Sequence, residues 1–66
     1  MFKVNEFKAE IVRNGLSTDE FCEKIGMKRR TFARRMQEGN FGLDELHKIK
    51  SVLNLSAERM VEIFFA

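Results

Sequence analysis

The segment Thr18-Asp19-Glu20-Phe21-Cys22-Glu23-Lys24-Ile25-Gly26-Met27-Lys28-Arg29-Arg30-Thr31-Phe32 joins two short helical patterns through one glycine. Leu16-Ser17 precedes it, and two start signals converge there. Ser17 and Glu20 stand at the spacing of a capping box, Leu16 and Phe21 at that of a hydrophobic staple. Phe21, Cys22 and Ile25 fall on one helical face, and Gly26 supplies the left-handed backbone that ends a helix. The second pattern predicts a helix from about Lys28 to Glu38. Phe32 and Met36 share its buried face, and Arg30 and Arg34 point almost directly away from that face. Cys22 is the small side chain at the closest crossing of the two helices, with Ile25 and Phe32 filling the wedge between them.

Outside this segment the same signals recur. Phe7, Ile11 and Val12 describe one face of a first helix from about Asn5 to Asn14, which Asn14-Gly15 can end. Gly39-Asn40 is a turn pair. Beyond it, Leu43, Leu46, Ile49, Val52 and Leu53 follow helical spacing, with Gly42 as N-cap, Phe41 set to staple onto Leu46, and Asn54 as the stop. Leu55-Ser56-Ala57-Glu58-Arg59-Met60 repeats the staple arrangement, opening a fifth helix with Val61, Phe64 and Ile63 inside. Nothing reads as a strand with equal force, so the expected fold is all-α, five short helices in one domain covering residues 1–66.

The basic residues are unevenly spread. The chain carries a net charge of +2, yet Gly26 to Gly39 holds five bases against the single acid Glu38, a local charge of +4. Ser17 to Ile25 holds Asp19, Glu20 and Glu23 against Lys24, a local charge of −2. Most charge runs on helices are solvated faces, but such faces usually mix signs. A one-sign face of arginines on a short helix points to a polyanion, and its geometry suits a DNA groove.

Composition narrows the other classes. With 66 residues and 44% hydrophobic content the chain builds one small core, with no room for an effector-sensing domain. A lone Cys22 and a lone His47 provide neither a disulfide nor a zinc site, so no metal or cofactor is expected. Burial raises a thiol's pKa, which argues against Cys22 as a nucleophile. No nucleophile and base pair and no Gly-rich phosphate loop appear, so the chain reads as a non-enzyme. Met1 to Asn5 lacks the apolar run of a secretory signal, and Ile63-Phe64-Phe65-Ala66 is too short to span a bilayer. A cytoplasmic protein with no membrane partner is expected.

The order short helix, Gly, basic helix is that of a helix-turn-helix. The segment from Thr18 to Phe32 resembles the lambda repressor and Cro-like helix-turn-helix proteins, especially the very small Cro-like regulators of phages and prophages, and the five-helix plan extends the likeness over nearly the whole chain. The resemblance implies a helix-turn-helix at about residues 17–37 and assigns the family's base readers to Arg29, Arg30 and Arg34. Lys28 and Thr31 lie near the same surface. Its phosphate contact at the second helix's N-terminus falls on Ser17 or Thr18, and Gly39, Asn40, Phe41 and Gly42 lie where relatives follow the DNA backbone. This chain departs from the pattern at Cys22, where Ala is usual, at Lys28, in place of a small polar residue, and at Arg35, where many members have a core aliphatic.

These readings lead to a sequence-specific, double-stranded DNA-binding transcriptional regulator, a Cro-like repressor acting by operator occupancy, without a small-molecule effector. The alternative is a protein-interaction module, an antirepressor, on the same scaffold. A homodimer through helix five is also expected. Phe64 and Phe65 point about 100° apart, so both cannot sit at the centre of one buried stripe.

Overall fold

Five helices and no strand make up the described residues, 2–66, of the computed structural model. They are α1 (Val4–Arg13), α2 (Thr18–Ile25), α3 (Arg29–Glu38), α4 (Leu43–Leu53) and α5 (Ala57–Phe64). Their ends follow the local chemistry. The Ser17 hydroxyl accepts from the Glu20 amide at 3.1 Å while the Glu20 carboxylate accepts from the Ser17 amide at 2.8 Å, so the expected capping box is formed. Gly42 has no side chain to cap with, and α4 keeps only the returning half, Gly42 amide to Glu45 carboxylate at 2.7 Å. Ser56 caps α5 by accepting from the Arg59 amide at 3.0 Å. Gly26 and Gly39 end α2 and α3 in left-handed geometry, and Asn54 does the same for α4 with φ of 52°.

Four phenylalanines, Phe7, Phe21, Phe32 and Phe41, are buried in the core. Phe7 on α1 is fully buried, its ring centroid 5.3–6.1 Å from those of Phe2, Phe21, Phe32, Phe41 and Phe64. Edge-on and tilted contacts of this kind add about 0.5–1.5 kcal/mol per pair to the burial itself. Ile11, Cys22, Ile25, Ile49, Leu53, Leu55, Met60 and Ile63 complete the buried cluster. α2 packs on α3 and α4, and α1 on α5. The Lys3 amide also donates to the Ile63 carbonyl at 2.7 Å.

Three residues expected inside are on the surface: Val12 and Leu43 are each 72% exposed and Val61 is 52% exposed. Each lies at the edge of its helix's apolar stripe. Val12 is about 100° round from Ile11, Leu43 about 120° from Ile49, and Val61 about 160° from the fully buried Ile63. On α5 the inward residues are Met60, Ile63 and the half-buried Phe64. Phe64 stacks on Phe2 at 5.3 Å, and Phe65 is left 63% exposed. Lys28, expected as the first helical residue, is instead the N-cap of α3, extended and without a side-chain capping bond. No helix of the described residues is long and apolar enough to cross a membrane.

Candidate nucleic-acid interface

Phe32 is the one buried residue of α3, and Met36 packs half-buried beside the core. The Phe32 ring lies 5.7 Å from Phe21 on α2, 6.1 Å from Phe7 on α1 and 6.2 Å from Phe41 in the loop before α4. Three neighbours from three directions fix the helix's rotation about its own axis. The opposite side, Arg30, Ala33, Arg34 and Gln37, is therefore exposed as a continuous stripe. At ten residues α3 is roughly 15 Å long and, with its side chains, roughly 10–12 Å across, a thickness that a major groove roughly 12 Å wide can receive.

The four arginines of α3 have two distinct environments. Arg29 Nε lies 2.7 Å from Asp19 Oδ1 at the start of α2, and Arg35 reaches Glu45 on α4 at 3.2 Å. Arg30 and Arg34 form no ion pair among the described residues. One turn apart, they repel each other, at a cost of about 0.2–0.5 kcal/mol to the isolated helix. A stripe with two unpaired like charges at its centre is an electrostatic vacancy for an anion.

Arg35 is half-buried and delivers its head to Glu45. Its Nε is buried without a hydrogen-bond partner, a desolvation cost of about 1–3 kcal/mol that the Glu45 contact offsets in part. Glu45 thus serves two elements, taking the Gly42 amide on one oxygen and Arg35 on the other. It ties the end of α3 to the start of α4 and frames the exposed turn containing Gly39 and Asn40.

The N-terminus of α2 flanks the stripe. Ser17 Oγ accepts from the Glu20 amide at 3.1 Å. Thr18 is half-buried and lines a hollow of about 360 Å³ together with Lys8, Arg29 and Ala33, over a floor of Ile11, Phe32 and Met36. Ser17 holds the Glu20 carboxyl below the usual carboxylate range, first through its backbone amide and then through its hydroxyl. Burial pushes the Cys22 thiol up.

Of the residues singled out from sequence, Lys28, Arg29, Arg30, Arg34 and Asn40 are exposed, and so is Ser17; Thr18 and Thr31 are half-buried. Gln37 escaped the sequence reading although it continues the Arg30, Ala33, Arg34 stripe at helical spacing. The pairing of Arg29 with Asp19 also escaped it, because ten residues across a turn is no helical spacing. No protein-family model, curated protein or solved structure matches the chain.

Proposed function

We propose that this protein is a sequence-specific, double-stranded DNA-binding transcriptional regulator, a Cro-like phage or prophage repressor of the cytoplasm that acts by occupying operator sites with a helix-turn-helix formed by α2 and α3. The observation that carries the reading is the unpaired Arg30 and Arg34 on the face of α3 opposite the buried Phe32. Arginine donates two hydrogen bonds to guanine O6 and N7, and an alanine methyl such as that of Ala33 suits a thymine methyl. Gln37 extends the same edge. Ser17 and Thr18 at the start of α2 and Asn40 after α3 supply the phosphate contacts in this reading.

A short recognition helix spans only a few base pairs, so a two-fold dimer on half-sites about 34 Å apart completes the proposal. Phe64 is committed to the core, so the candidate contact narrows to Phe65. With Leu43, Leu46 and Met60, Phe65 lines an apolar groove of about 200 Å³ between α4 and α5. The test is selection of bound sequences from a random duplex pool, followed by salt titration on the winner. An enriched inverted repeat and a steep loss of affinity with salt are expected. Arg30→Ala and Arg34→Ala should each cost about 1–3 kcal/mol of binding and relax preference at one position. A pool that yields no enriched sequence refutes the reading.

A further inference from the structure

Arg29 differs from Arg30 and Arg34 in being held, and from Arg35 in being exposed. Its guanidinium is approached by Asp19 at Nε, 2.7 Å away. The closest contact is thus on the inner nitrogen, while a bidentate contact to a guanine edge can be made by the two terminal nitrogens. Both side chains are exposed, Arg29 at 58% and Asp19 at 78%, so the pair lies on the surface at the junction of α2 and α3. A free arginine beside DNA is drawn to the nearest phosphate, and a phosphate contact carries no sequence information. A carboxylate already beside the guanidinium takes the place of that phosphate and repels the backbone.

We propose that Asp19 is a specificity-determining positioning residue, which restrains Arg29 from the DNA backbone and presents its terminal nitrogens to one base pair. The inference rests on the DNA-binding reading above. Displacement of water from the groove lowers the local dielectric and strengthens the pair on docking. Asp19 opposes total affinity, because it brings a negative charge to a polyanion, and favours discrimination. Its ordinary role, an acid in the first turn of α2 complementing the helix dipole, predicts neither effect.

The experiment measures affinities of wild type, Asp19→Ala, Asp19→Asn, Arg29→Ala and the Asp19→Ala/Arg29→Ala double variant. The probes are the selected operator, its single-base-pair variants and a mixed duplex. For Asp19→Ala and Asp19→Asn, binding to mixed duplex should hold or rise. Preference at one base-pair position should fall about fivefold or more, the lower end of what a bidentate arginine–guanine contact contributes. In the Arg29→Ala background, Asp19→Ala should leave that position unchanged. An operator-binding wild type whose position-by-position preferences survive Asp19→Asn overturns the role of Asp19 alone. A uniform loss across all duplexes overturns it too, as the mark of a structural role. A wild type that selects no sequence overturns the parent reading and this inference together.

Discussion

Phe32→Ala tests the feature on which the whole interface depends, the rotation of α3. The side chain is 3% exposed and its ring meets Phe7, Phe21 and Phe41 at 6.1, 5.7 and 6.2 Å, so truncation opens a cavity where three segments converge. Buried Phe→Ala changes cost about 3–5 kcal/mol. A 66-residue domain has roughly 3–10 kcal/mol in total, at about 0.05–0.15 kcal/mol per residue, so the variant should lie at or near the limit of folding. At about 4–8 °C per kcal/mol for a domain of this size, the melting midpoint should fall by at least about 12 °C. Phe65→Ala is the matched control, the same truncation at a ring 63% exposed, and should stay within about 1 kcal/mol of wild type. Thermal and urea unfolding followed by circular dichroism measure both. If Phe32→Ala melts within about 1 kcal/mol of wild type, or Phe65→Ala loses as much as Phe32→Ala, α3 is not seated as described and the outward stripe has been misidentified.

Ser56→Ala removes the hydroxyl that caps α5 and should cost about 1 kcal/mol by urea titration, with Ser56→Gly recovering most of it. Arg59 joins α5 to α1 through Glu6 at 2.7 Å and Glu10 at 2.8 Å, and also meets Glu62 at 3.2 Å, so Arg59→Met should lower the melting midpoint, and more so in low salt than in high. Hydrogen bonding and charge from Arg59 hold the Glu6 carboxyl below its ordinary range. Its stabilisation is therefore present above the unfolded-state pKa and lost as pH falls through the lower folded-state value. Melting followed from about pH 6 to about pH 3 should show a smaller drop for Glu6→Gln than for wild type, and parallel curves would contradict this account.

The five helices were legible in the chain because their signals are local. Ser17 with Glu20, Gly26, Gly39 and Asn54 each act within four residues, and a backbone that needs a cap or a left-handed turn finds it in its immediate neighbours whatever the rest of the molecule does. The outward direction of Arg30 and Arg34 followed the same way, from helical geometry once Phe32 was placed inside. Burial at the margins of each stripe did not. Spacing puts Val12, Leu43 and Val61 beside core positions, but only the packing of neighbouring helices decides how far round a helix the cover extends, and here it stops short of all three. Nor did the sorting of the arginines. Arg29 meets Asp19 across a turn, Arg35 meets Glu45 across a loop, and Arg59 meets Glu6 and Glu10 from the far end of the chain. Sequence shows that charges of both signs are present. Which of them neutralise one another depends on distances of a few ångströms, set only when the helices have packed.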